Sequence, residues 1–261
     1  MRKLIVLALL TLATAAHADL KEETVSYQQG DTTFTGYLAW DSSLEGRRPG
    51  VIVVHEWWGH NEYVRERARQ LAGLGYTAFA IDMYGEGQQA AHPTAAGEFA
   101  GKVMQLADHG EARFTAALDL LKAHSTTNPE ATAAIGYCFG GGVVLNAARK
   151  GLDVDGVVSF HGSLASPITA EPGAMTASVL VLHGGGDTFI PAEQVGAFAQ
   201  EMATAGADWQ FVSYPGVKHS FTSRAADEKA SKFGMPIAYD AAADADSWAR
   251  MLALFDELFT D

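Results

Sequence analysis

The chemistry of this chain is concentrated in a few side chains whose order suggests one reaction. Cys138, the sole cysteine, stands in Gly136-Tyr137-Cys138-Phe139-Gly140, after an apolar stretch and before a helix-forming one. That is the pattern of a nucleophile elbow with sulfur in place of oxygen. Glycines two positions before and two after allow the sharp, close-packed strand-to-helix turn that such an elbow needs. The turn sets the sulfur at a helix N-terminus, where the thiolate is favoured. A small buried cysteine in a tight turn would give the same short pattern, so more distant residues must decide. Asp187 follows the apolar run Val179-Leu180-Val181-Leu182, and His219 follows the run that ends at Tyr214. Nucleophile, acid, histidine is the chain order of one kind of catalytic triad. His219 would take the thiol proton and Asp187 would orient the imidazole.

A second loop, His55-Glu56-Trp57-Trp58-Gly59-His60, ends the first fully apolar strand. Its position makes the backbone N–H of Trp57 one expected oxyanion donor, with that of Phe139 as the other. The two histidines of this loop suggest zinc at first sight. They lie five residues apart, about 140° around a helix, and so share no face. No metal ligand set is assigned, and no cofactor is expected. The Gly140-Gly141-Gly142 run lacks the Lys-Ser/Thr pair of a phosphate-binding loop. Trp57, Trp58, Tyr84, Phe139, Phe160 and Phe221 lie near these loops and are candidates to wall an apolar pocket.

Elements that would position these groups can be read from hydrophobic period. Thr24-Tyr27 and Phe34-Trp40 alternate on either side of a turn at Gln28-Gln29-Gly30-Asp31, which reads as an antiparallel hairpin. Gly50-Val54 is continuously apolar, as for a strand buried on both faces. Asn61 caps an expected helix with Val64, Ala68, Leu71 and Ala72 on one side and Gly75 at its end. Strands over 77–81, 131–137, 154–160, 178–182 and 209–214 alternate with helices over roughly 111–123, 139–150, 192–205 and 241–258. Such repetition predicts a mostly parallel sheet with helices on both faces, in one domain. Catalytic groups in these sheets gather at the carboxyl ends of the strands. The stretch from Thr222 to Tyr239 is long and mixed in charge; it reads as a partial cover or a solvated loop.

The chain has 261 residues, 48% of them apolar, with 18 Lys and Arg against 31 Asp and Glu for a net charge of −13. That surface repels phosphate backbones, so nucleic acid is not an expected partner. One cysteine excludes an internal disulfide and a multi-thiolate metal cluster. Arg2 and Lys3, the apolar run Leu4–Thr14, and Ala16-His17-Ala18 form the three parts of a cleavable leader. Residues 1–18 are therefore read as a signal peptide and 19–261 as the mature domain. The expected location is the periplasm or outside the cell, with no membrane contact after leader removal. A monomer acting on a small molecule is expected.

These motifs together resemble the dienelactone hydrolase family. The resemblance rests on His55-Glu56-Trp57-Trp58-Gly59, Asp82-Met83-Tyr84-Gly85, the Cys138 elbow, Asp187 before Pro191, and Tyr214-Pro215-Gly216-Val217-Lys218-His219-Ser220-Phe221. It implies an α/β-hydrolase fold and cleavage of carboxylic esters or lactones through a cysteinyl acyl-enzyme. Cys138, Asp187 and His219 would be catalytic, and Glu56 would hold the resting thiol until substrate binds. Members bind a substrate carboxylate with arginines. This chain has Gly85-Glu86 at one such position and Thr222-Ser223-Arg224 at the other, which leaves Arg224, with Trp58 and Tyr84, as candidate substrate contacts. A thioesterase on the same scaffold and a thiol redox sensor are the alternatives.

Overall fold

In a computed structural model, residues 18–105 and 107–260 are described. All of the expected leader except Ala18 lies outside them. Two antiparallel strands open the fold, β1 (Leu20–Gln29) and β2 (Thr32–Asp41), joined by a tight turn in which Gly30 takes φ 59°. Then come β3 (Arg48–Val54), α1 (Glu62–Gly73), β4 (Thr77–Ile81), α2 (Pro93–Gln105) and α3 (Ala107–Ala123). The chain continues as β5 (Thr127–Tyr137), α4 (Phe139–Arg149), β6 (Gly156–Phe160), β7 (Ser178–Gly184) and α5 (Ala192–Ala205). It closes with β8 (Trp209–Tyr214), α6 (Ala226–Phe233) and α7 (Ala241–Phe259).

The strands form one sheet in the order β1-β2-β4-β3-β5-β6-β7-β8. β2 runs antiparallel to β4, and every pairing from β4 through β8 is parallel. The apolar strands bury both faces. Ile52 and Val54 point to one core with α3, α4 and α5, whereas Val51 and Val53 point to another with α1 and α7. This is the two-sided α/β layering that the strand–helix alternation predicts. Asn61 caps α1 as expected, its side chain accepting from the Tyr63 N–H at 3.1 Å.

Two helices depart from the expected pattern. α2 contains Gly97 and Gly101, which weaken its helical signal. α6 spans only eight residues inside the stretch read as a cover or loop. Its Phe233 ring stacks on Trp58 with centroids 6.0 Å apart, so that stretch is a partial cover rather than a solvated loop.

Candidate active site

At the carboxyl end of β5 the chain turns sharply into α4. Cys138 occupies the turn with φ 54° and ψ −114°, a conformation non-glycine residues seldom adopt. The flanking glycines are required sterically. A Cβ at Gly136 would lie 2.0 Å from the Gly140 carbonyl oxygen, and one at Gly140 would lie 2.4 Å from that of Val54. The elbow thus presses against the end of β3, the strand that delivers Glu56 and Trp57.

His219 and Asp187 arrive from the loops after β8 and β7. Asp187 Oδ2 lies 2.7 Å from His219 Nδ1, and its other oxygen accepts from the Phe189 N–H at 2.8 Å. Burial opposes charge on the His219 ring. The Cys138 sulfur beside it and the hydrogen bonds with Asp187 and Cys138 outweigh that, raising it to about 10. The three triad residues predicted from chain order therefore meet at one sheet edge.

Cys138, His219, Trp57 and Phe139 open onto a cavity of about 270 Å³. Ala100, Met104, Phe189, Ile190 and Met235 give it apolar walls, with Ser163 and Ser220 as polar points. Both expected oxyanion-donor residues face this space. Glu56 is almost fully buried, and its Oε1 accepts from Ser220 Oγ at 3.0 Å. Its hydrogen bond thus goes to the neighbour of His219.

Arg224, Trp58 and Tyr84, the expected substrate contacts, are not among the residues that line this cavity. Arg224 is exposed, sits over the Tyr239 ring at 5.0 Å, and borders a separate polar groove, because its loop turns outward before α6. Tyr84 is buried beneath the cavity and donates from its hydroxyl to the Trp57 carbonyl at 2.9 Å, so it supports the oxyanion loop from below. Trp58 packs against Trp57 and Phe233 under the cover, with the Lys229 ammonium 4.3 Å from its ring centroid. Phe160 and Phe221 are core residues. Glu86 is exposed and is not among the residues that line the cavity.

The histidines of the first loop are structural. The Met83 N–H donates to His55 Nε2 at 3.1 Å, which leaves Nδ1 to donate to the Glu56 carbonyl at 2.6 Å. His60 Nε2 lies 3.1 Å from the Ala80 carbonyl. Among the described residues no cluster of His, Cys, Asp and Glu is arranged to hold a metal ion. No described helix is long and apolar enough to cross a membrane.

Sequence reasoning passed over three groups: Lys229 on α6, which senses the charges of Glu56 and Cys138; the two methionines of the cavity wall; and His161 at the end of β6. His161 follows an apolar strand at the same sheet edge as Asp187 and His219, and that position is the signal that could have found it.

Comparison with known proteins agrees with this geometry. The family model for the dienelactone hydrolase family matches residues 34–259. A candidate carboxymethylenebutenolidase of Escherichia coli K12 is 30% identical over 241 residues, covering 88% of this chain and 84% of that one. The protein usf of Aquifex pyrophilus is 29% identical over 242 residues, covering 90% and 98%. The crystal structure of the dienelactone hydrolase-like promiscuous phosphotriesterase P91, from metagenomic libraries, superposes with a TM-score of 0.86 at 37% identity, covering 92% and 99%. With its sheet order, its elbow and this family match, the chain belongs to the dienelactone hydrolase family and is a carboxylic ester hydrolase of the α/β-hydrolase fold.

Proposed function

We propose that this protein cleaves carboxylic esters or lactones of small molecules through a cysteinyl acyl-enzyme on Cys138. The observation that carries this reading is the Cys138–His219–Asp187 line opening onto one apolar cavity. The raised affinity of His219 for its proton favours a resting pair in which the ring holds the proton beside the sulfur. The sulfur attacks the acyl carbon, and the N–H groups of Trp57 and Phe139 take the charge that develops on oxygen. The C–O bond then breaks, and His219 passes its proton to the leaving alkoxide. A water, deprotonated by His219, attacks the thioester; acid product departs and the thiol pair is restored.

The test is burst kinetics with p-nitrophenyl acetate and a panel of small enol-lactones. A burst in wild type, reduced roughly 10³-fold or more in both Cys138→Ala and His219→Ala, is expected. Turnover that survives Cys138→Ala would overturn the acyl-enzyme.

A second substrate class is favoured by the likeness to P91. In-line attack by the same sulfur on the phosphorus of a phosphotriester forms an S–P bond as the P–O bond to the aryloxide breaks. His219 passes its proton to the leaving aryloxide, and the Trp57 and Phe139 N–H groups face the charge on the phosphoryl oxygen. Release of p-nitrophenol from an aryl dialkyl phosphate by wild type, and its loss in Cys138→Ala, is the expected outcome.

We also infer that the leader is removed before Asp19 and that the enzyme works in the periplasm. The Asp19 nitrogen donates to Asp41 Oδ1 at 2.9 Å, and the Asp19 carbonyl accepts from the Ser42 N–H at 2.9 Å. A new α-ammonium at Asp19 would therefore meet a carboxylate. Mass spectrometry of the protein recovered from a periplasmic fraction should show a chain that starts at Asp19.

A further inference from the structure

Three non-glycine residues with positive φ cluster at the site: Cys138 at 54°, Ser220 at 59° and His161 at 42°. Strain of this kind persists only where surrounding contacts over-determine it, and it gathers at functional positions. Cys138 and the His219–Ser220 loop have roles in the mechanism above. His161 has none there, yet it is fully buried and its ring centroid is 5.1 Å from that of His219.

Its hydrogen bonds show what it can do. The Cys138 N–H is shared: it donates to the Phe160 carbonyl at 3.0 Å and to His161 Nδ1 at 3.2 Å. A backbone N–H can only donate, so Nδ1 accepts and the proton of a neutral ring sits on Nε2. Nε2 then donates to Thr222 Oγ1 at 2.7 Å, and that oxygen lies 2.7 Å from the Tyr63 hydroxyl. Arg67 donates to the Thr222 carbonyl at 2.8 Å. The chain of contacts joins the nucleophile's own backbone, the loop that carries His219, and helix α1 behind the oxyanion loop.

We infer that His161, as a neutral imidazole, is a positioning residue: it clamps the Cys138 backbone to the loop of the catalytic histidine and sets the sulfur against His219. This rests on Cys138 being the nucleophile. A protonated ring would lose the acceptor at Nδ1, and the surroundings oppose protonation. Burial acts first, then the charge of His219, with Arg67 adding to it; together they hold His161 well below the ordinary histidine range. Tyr137 and Tyr63, the other titratable groups near the ring, have their phenols held above the ordinary range by burial.

The test compares His161→Phe with His161→Asn. Phe keeps a ring of similar bulk but has neither acceptor nor donor. Asn loses the ring but keeps an acceptor near the Nδ1 position and tolerates positive φ. A clamp ranks Asn above Phe; because Phe at φ 42° also carries backbone strain, Thr222→Val, which leaves residue 161 unchanged, must lower kcat as well. The readouts are kcat and KM for p-nitrophenyl acetate, and the pH profile of Cys138 alkylation by iodoacetamide. For His161→Phe we expect kcat to fall about 10- to 100-fold, KM to stay within about threefold, and the alkylation midpoint to move to higher pH; for Asn the changes are smaller. Phe equal to or better than Asn, or both within about twofold of wild type, would overturn the inference. Should His161→Phe not fold, Thr222→Val removes the acceptor of Nε2 at nearly constant volume, and an unchanged kcat and alkylation profile there would be equally decisive. Alkylation reads the thiol alone, so it still separates a clamp from packing if wild type shows no acyl burst and the proposed reaction fails.

Discussion

The loop after β6 and the loop after β8 each place a buried histidine at the same sheet edge, and the two rings have opposite charge preferences. His161 is driven towards the neutral form and His219 is raised to about 10, although both rings are shielded from water. Burial pushes each of them the same way. Partners make the difference: His219 meets the Asp187 carboxylate and the Cys138 sulfur, whereas His161 meets a backbone N–H and a hydroxyl. Thus the ring with an anionic partner is equipped to move protons, and the ring with neutral partners is equipped to hold geometry.

Removing the anion should break this contrast most strongly. Asp187→Asn leaves a neutral amide against His219. We expect kcat to fall by about 10²- to 10⁴-fold and the imidazole to come down only part of the way from about 10, because the Cys138 sulfur beside it remains; NMR titration of the ring would follow this. An imidazole still near 10 in that variant would assign the shift to the sulfur instead.

A smaller effect concerns stability. A histidine whose affinity for protons is raised on folding stabilises fully below its unfolded value and loses that contribution as pH rises through its folded value. For His219 the window runs from 6.5 to about 10. Stability of wild type to denaturant should weaken across this window by more than that of His219→Gln does. Equal slopes would show that the folded enzyme does not hold the extra proton.

The smallest effect belongs to the cover. Phe233→Ala removes the stack on Trp58 that seats α6 and leaves both histidine loops intact. We expect KM to rise about two- to tenfold with kcat nearly unchanged, since one aromatic contact of roughly 1 kcal/mol is lost. A matching fall in kcat would mean that the cover also orders the triad.

Much of the fold was legible because its strands are continuous apolar runs and α1 carries both a cap and a clear apolar stripe. The elbow was legible for a steric reason: Gly136 and Gly140 mark a turn where no Cβ fits. α2 was not, since Gly97 and Gly101 dilute its periodicity, nor was α6, which offers few apolar residues to read. That Arg224 does not line the cavity was not legible, because linear spacing from His219 does not say which way a loop turns. Here it turns outward, and the guanidinium rests on Tyr239.

By itself the sequence determined the α/β alternation, the elbow at Cys138 and the order of Asp187 and His219 behind it, because these follow from period, steric need and strand ends. Tertiary structure alone decided that Glu56 bonds to Ser220, that Tyr84 supports Trp57 from below, and that His161 spans from Cys138 to Thr222. Those contacts join residues 23 to 164 positions apart, set by how separate loops pack at one sheet edge, and no local pattern encodes which donor meets which acceptor there.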